Sequence, residues 1–167
     1  MDHGPMHLCN SETFFPRPVD LARARSTSRQ KGTNMRFMIM VKGTKDSEAG
    51  AMPDESLMHE MAAYHEELAR AGVLLDASGL QPTSKAVRIK YSGGKRTVID
   101  GPFTESKEII AGYTIIQVKT REEGLEWARR FPAPVPGGEG EIEVRQLFEL
   151  EDFEPNAAVE RFKDIRK

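Results

Sequence analysis

The chain has 167 residues, with 24 Lys and Arg against 26 Asp and Glu, so its formal net charge is −2 and its length suits one domain with its own core. No run of about 18 apolar residues and no basic excess is present, so we expect neither a membrane span nor a nucleic-acid-binding protein. The single cysteine, Cys9, excludes a disulfide framework and a multi-cysteine zinc site, and the composition predicts a cytoplasmic protein.

Residues 1–34 differ in composition from the rest of the chain. They hold five of the basic and three of the acidic residues, three prolines and no sustained hydrophobic period. Because such a segment buries too little apolar surface to offset its ordering entropy, we expect a basic, low-order leader or a non-native extension. A domain at 35–150 and a C-terminal tail at 151–167 should follow. A short helix in the tail would have an apolar stripe of Ala158, Phe162 and Ile165.

The first half of the domain reads as a strand, a loop and a helix. The apolar run 36–41 is typical of a central strand buried on both faces. After a polar loop at 43–53, Asp54 is a suitable N-cap, and Gly72 suits the position just beyond the helix end. The apolar face of this helix consists of Leu57, Met61, Tyr64 and Leu68.

The middle of the domain should contain three strands. Residues 73–80 form one. At 87–91 apolar and basic side chains alternate, which predicts a strand with one buried and one solvent-exposed face. The glycines at 92–95 indicate a hairpin turn, so 96–100 should be the returning strand. The side chains expected on the buried face are Val87, Ile89 and Tyr91.

The remainder is predicted to be a strand at 112–119, a helix and a last strand at 142–148. Thr120 and Glu123 form the pattern of a capping box, and Pro132 ends the helix. The order β-α-β-β-β-α-β predicts an α+β fold, a ferredoxin-like βαβ(ββ)αβ sandwich with two helices on one face of an antiparallel sheet. Because the other face needs a cover, we expect a homodimer through the sheet face.

The most informative stretch is Asp100-Gly101-Pro102-Phe103, which connects two predicted strands and is followed by Glu105, Lys107 and Glu108. Polar connections at strand ends commonly carry binding sites. The alternative is an Asp-initiated turn beside a solvated Glu and Lys pair. Together with Gly112, this run resembles the signature of the YCII-related, or DGPF-domain, family. The flanking Ala71-Gly72-Val73-Leu74-Leu75 and Gly79-Leu80-Gln81-Pro82 are also similar to that family, and the resemblance covers about 35–149.

The resemblance implies a dimeric α+β barrel, in a family whose members are mostly uncharacterised bacterial proteins. A related branch includes an enzyme that removes chloride from a chlorinated hydroxyquinol, and a His–Asp pair has been proposed as a site in the wider family. DGPF-domain proteins also tend to be associated with extracytoplasmic-function sigma factors. Lyase-like or dehalogenase-like acid/base chemistry and a sigma-factor partner are therefore both implied.

Three residues are candidates for acid/base catalysis. His65 lies where the resemblance places a helix histidine, and an imidazole titrates near neutral pH. Asp76 sits in an apolar strand, where an unpaired carboxylate is costly to bury, so it could orient His65, and Asp100 could do the same. The structural alternatives are a histidine bonded to a backbone carbonyl and an aspartate that faces solvent.

Candidate ligand-binding residues lie at the hairpin and the corner after it: Arg88, Phe103, Glu105 and Lys107. As an alternative, the basic residues of the hairpin are only solvated charge. His59 lies six residues before His65, so the two face about 120° apart on a helix and cannot share a metal; we expect no metal and no cofactor. Two functions stay open: a cofactor-independent enzyme that acts on a small metabolite, and a non-catalytic binding or regulatory module.

Overall fold

The computed structural model describes Met1 and residues 34–103 and 108–165. The chain divides into two units, and all helices and strands given below lie in the second, Gly32–Lys167. The strands are β1 (Met35–Lys42), β2 (Leu74–Gly79), β3 (Val87–Ser92), β4 (Lys95–Asp100), β5 (Ile110–Val118) and β6 (Ile142–Gln146). The helices are α1 (Lys45–Glu48), α2 (Glu55–Arg70), α3 (Arg121–Arg129) and α4 (Ala157–Ile165).

Two antiparallel sheets organise the domain. The larger has four strands in the order β2-β5-β1-β6, and the hairpin β3-β4 forms a separate two-stranded sheet. The predicted α+β class is confirmed, and so is the central position of β1. The pairing of β2 with β5 is interrupted at Leu75, because Leu74 lies opposite Ile116 while Asp76 lies opposite Ile115. Among the described residues, no helix combines the length and apolarity needed to cross a membrane.

The core lies between one face of the four-stranded sheet and the helices α2 and α3. On β1, Phe37 and Ile39 are buried, whereas Met38 and Met40 on the other face are only half-buried. The prediction that β1 is buried on both faces is therefore wrong for this single chain, because the helices cover one face. The core cluster consists of Phe37, Ile39, Tyr64, Leu68, Val73, Ile116, Val118, Ala128 and Phe131.

The two core helices begin as their sequences predict. Asp54 caps α2, since its Oδ1 accepts from the Leu57 amide over 2.8 Å. Thr120 caps α3 through the amide of Glu123 at 3.1 Å. The predicted capping box is only half formed, however, because the Glu123 carboxylate accepts from the amide of Lys119, one residue before the cap, at 3.0 Å.

The prediction that the hairpin buries one face is wrong. Every residue of β3 and β4 is exposed, because this hairpin forms its own sheet instead of covering the core. The tail contains the predicted short helix, α4, whose buried residue is Val159, while Phe162 and Ile165 of the expected stripe are 54% and 76% exposed. The loop predicted at 43–53 contains a further short helix, α1.

Candidate functional site

The corner after β4 packs closely on an earlier turn of the chain. Asp100 ends β4 opposite Val87, and the Gly101 amide donates to the Ala86 carbonyl over 3.0 Å. A Cβ atom on Gly101 would lie 1.7 Å from the carbonyl oxygen of Thr83. Only glycine permits this close approach of two backbones. The peptide bond from Gly101 to Pro102 is cis.

Thr83 links the corner to helix α1. Its Oγ1 accepts from the Phe103 amide at 3.1 Å, and its hydroxyl donates to the carboxylate of Glu48. The Thr83 amide donates to the same carboxylate, at 3.2 and 3.3 Å from the two oxygens. One threonine thus joins three segments that are distant in sequence, and it fixes where Phe103 stands.

A cleft of about 380 Å³ opens beside this corner. The guanidinium carbon of Arg88 lies 3.8 Å from the centre of the Phe103 ring, so the structure brings these two predicted ligand-binding residues together. Glu108 also lines the cleft, and its carboxylate lies 3.9 Å from the ammonium of Lys42. The other lining residues are Leu80, Gln81, Thr83, Ala86, Ile109 and Ile110.

A second cleft, of about 400 Å³, lies in the tail between residues 150 and 163 and shares no lining residue with the first. It contains neither a predicted site residue nor a stacked cation. We therefore place the candidate site at the corner cleft. Glu105 and Lys107 fall outside the described residues, so their predicted ligand-binding roles stay predictions. Asp100 lies at the corner but does not line the cleft.

His65 is tied into the contact between α2 and β5. Its Nε2 lies 2.9 Å from Oγ1 of the buried Thr114. Burial lowers the pKa of His65 below the ordinary 6.5, and a hydrogen bond to the backbone of Met61 offsets part of this effect. The imidazole is therefore neutral at pH 7, and its two polar partners belong to the protein itself. This arrangement corresponds to the structural alternative.

Asp76 stands on the other face of the sheet. It is exposed, and its carboxylate accepts from the hydroxyl of Tyr113 at 2.8 Å, which raises the pKa of that tyrosine. Regular pairing would place Asp76 opposite Thr114 and hence beside His65, but the bulge at Leu75 sets it opposite Ile115. The structure does not bring His65 and Asp76 together within one chain, and their catalytic roles stay predictions.

The sequence of this domain is similar to those of known proteins. The chain matches the family model of the YCII-related domain over residues 35–151. The chain belongs to the YCII-related family. It is also 35% identical over 94 residues to an uncharacterised protein, R00369, of Rhizobium meliloti (strain 1021), and the aligned part covers 56% of this chain and 75% of that protein. The YCII-related domain therefore spans β1 to β6.

Sequence reasoning missed several residues that line the cleft, and also Glu48, which does not line it but binds the lining residue Thr83. Thr83 and Glu48 carry no local signal, because their bond joins residues 35 positions apart. Ile109 and Ile110 follow the motif directly and could have been included as its apolar continuation. Within the described ranges, no three His, Cys, Asp or Glu side chains lie close enough together to hold a metal ion.

Proposed function

We propose that this YCII-related protein binds a small aromatic anion, such as an aromatic carboxylate, in the cleft at the Gly101–Phe103 corner. The observation that carries the proposal is the guanidinium of Arg88 above the Phe103 ring at 3.8 Å. A guanidinium has five N–H donors in its plane and stacks through its face. Stacking on Phe103 thus orients the plane of the donors, which suits recognition of a planar carboxylate.

The rest of the cleft supports a ligand that is both apolar and charged. Its volume of about 380 Å³ is within the range of small-molecule sites. Leu80, Ile109 and Ile110 supply apolar surface for a ring. Glu108 offers a carboxylate that can accept from a hydroxyl group on the same ligand.

The proposal includes a homodimer with a ferredoxin-like protomer, arranged as a dimeric α+β barrel. The strand order β2-β5-β1-β6 with helices α2 and α3 on one face supports this architecture. On the other face, charged groups already have partners, because Arg36 pairs with Glu149 at 2.9 Å and Lys42 with Glu143 at 2.6 Å. Half-buried apolar side chains lie on the same face, and a second sheet would cover them: Met38, Met40 and Ile115.

Isothermal titration with benzoate and salicylate tests the binding proposal. We expect Arg88→Met to weaken binding by about 10-fold or more, because a charge-assisted bidentate contact is lost. Arg96→Met is the matched control, since Arg96 also stacks on an aromatic ring, that of Tyr91 at 5.4 Å, outside the cleft. Equal affinities of the parent and Arg88→Met, or no binding of a panel of aromatic acids by the parent, would reject the proposal.

A second candidate is cofactor-independent acid/base catalysis by His65, because its lowered pKa keeps the imidazole able to accept a proton at neutral pH. If His65→Gln changes neither stability nor the turnover of a substrate found by screening, this candidate is excluded. Association with a sigma factor and a cytoplasmic location stay predictions. A pull-down with and without residues 1–34 tests the sigma-factor association.

A further inference from the structure

The basic side chains of the hairpin β3-β4 are concentrated on one of its two faces. Side chains alternate between the faces along a strand, and directly paired residues share a face. The register therefore places three cations on one face, which we call the basic strip: Arg88, Lys90 and Lys95. The other side chains on this face are uncharged: Ser92, Thr97 and Ile99. The opposite face carries one cation, Arg96, and one anion, Asp100.

The basic strip begins at the corner cleft. Arg88 lines this cleft and stacks on Phe103. Lys90 is two residues further along β3, so its Cα atom lies about 7 Å from that of Arg88, on the same face. Lys95 is the diagonal neighbour of Lys90 on β4, nearer the turn of the hairpin, at a separation of about 7–8 Å. The three cations therefore lead from the cleft along the hairpin.

The charge of the basic strip is not balanced by the described part of the chain. Both strands are exposed throughout, and the ion pairs between described residues include neither Lys90 nor Lys95. The acidic residue among those that line the cleft is Glu108, and the ammonium of Lys42 lies 3.9 Å from its carboxylate. Because a surface of one sign beside a cleft attracts ligands of the opposite sign, this strip favours an anion.

We propose that the ligand of the corner cleft is a dianion, an aromatic carboxylate with a carboxylate or phosphate at the far end of the molecule, and that Lys90 binds this second group. The inference rests on the proposed function, because Arg88 holds the first carboxylate. The planar guanidinium orients that first group, whereas the ammonium of Lys90 is a point charge on a flexible stem, which binds a carboxylate or a phosphate equally well. Lys95 contributes less, because it lies one step further from the cleft.

Isothermal titration of the full-length chain with four aromatic acids tests the proposal. Terephthalate carries its two carboxylates at opposite ends of the ring, whereas phthalate carries the same charge on neighbouring carbons. We expect terephthalate to bind about tenfold more tightly than benzoate, and phthalate to bind about as tightly as benzoate, because its second carboxylate does not extend toward Lys90. In para-phosphonobenzoate a phosphonate replaces the second carboxylate, so the tighter of the two para compounds identifies the second group.

Lys90→Met should abolish the preference for terephthalate and leave the dissociation constant of benzoate unchanged. Arg96→Met is the matched control, because it removes one positive charge from the other face of the same hairpin and should keep the preference. Lys95→Met should reduce the preference less than Lys90→Met does. The Debye length falls from about 10 Å in 0.1 M salt to about 3 Å in 1 M salt, so the preference should also shrink over this range.

Two results would overturn the proposal and leave the cleft proposal standing: terephthalate that binds the parent no more tightly than benzoate, and a preference that persists in Lys90→Met. Equal losses in Lys90→Met and Arg96→Met, or phthalate that binds as tightly as terephthalate, would also overturn it, since both indicate a general attraction between charges. If the parent binds none of the four acids, the cleft proposal and this inference fail together.

Discussion

The backbone of Gly101 runs so close to that of Thr83 that a Cβ atom at position 101 would lie 1.7 Å from the Thr83 carbonyl oxygen. The Asp-Gly-Pro-Phe run therefore forms a turn and also lets two backbone segments pack closely against each other. It places Phe103 under Arg88 and beside the cleft.

Gly101→Ala should destabilise the protein by about 1–3 kcal/mol, because the clash is with backbone and cannot be relieved by a rotamer change. Urea unfolding followed by circular dichroism measures the loss. Gly79→Ala is the control: a Cβ there meets nothing within 4 Å. If both variants are equally stable, the close approach at the corner is not a feature of the protein in solution.

Thr83→Val removes the hydroxyl that accepts from the Phe103 amide and donates to Glu48. Because the partly buried partners then lack a hydrogen bond, we expect a loss of about 1–3 kcal/mol in unfolding free energy and weaker binding of salicylate. Thr97→Val, on the exposed strand β4, should change neither quantity. A Thr83→Val protein with parental stability would contradict the linking role of this side chain.

Protonation of His65 should destabilise the fold. Burial lowers its pKa in the folded state, so below pH 6.5 the unfolded chain binds more protons than the folded one, and stability falls as the pH falls. His65→Gln should flatten the fall in melting temperature between pH 7 and pH 5. His59→Gln removes a histidine with a 78% exposed side chain from the same helix and is the control for the loss of a histidine as such. If the melting temperatures of His65→Gln and of the parent fall equally between pH 7 and pH 5, this prediction is contradicted.

Tyr64 should behave as a buried, hydrogen-bonded phenol. Its hydroxyl donates to the Trp127 carbonyl at 3.0 Å, and burial raises its pKa to about 12. The folded state thus favours the neutral form, so the stability that this group contributes is lost as the pH rises above 10. Tyr64→Phe should cost about 1 kcal/mol, whereas Tyr91→Phe, at an exposed position, should cost nothing measurable. In an absorbance titration, the parent should show a tyrosine ionisation near pH 12, and Tyr64→Phe should lack it.

Local hydrophobic patterns in the sequence predicted the helices and strands well. Helix α2 followed from the spacing of Leu57, Tyr64 and Leu68, all of which are buried, because a helical face is a property of neighbouring residues. Burial of the hairpin could not be predicted in the same way. The alternation at 87–91 is real, but whether its apolar face is covered depends on distant parts of the fold, or on a second chain.

The candidate site was harder to predict than the fold. Phe103 and Arg88 were predicted from the motif and its hairpin. The linking role of Thr83 could not be predicted, because it consists of contacts with residues that are distant in the sequence. The expected pair of His65 and Asp76 depended on strict alternation along β2. A single extra residue reverses the face of every side chain after it, and the bulge at Leu75 does this to Asp76.

The same bulge has a consequence for assembly. Strand β2 is an outer strand of the four-stranded sheet, and a kinked outer strand is a poor template for strands from other molecules. Growth of the sheet from molecule to molecule is thus discouraged on this side. The bulge at Leu75 thus disfavours the assembly of many copies into a fibre through this edge of the sheet.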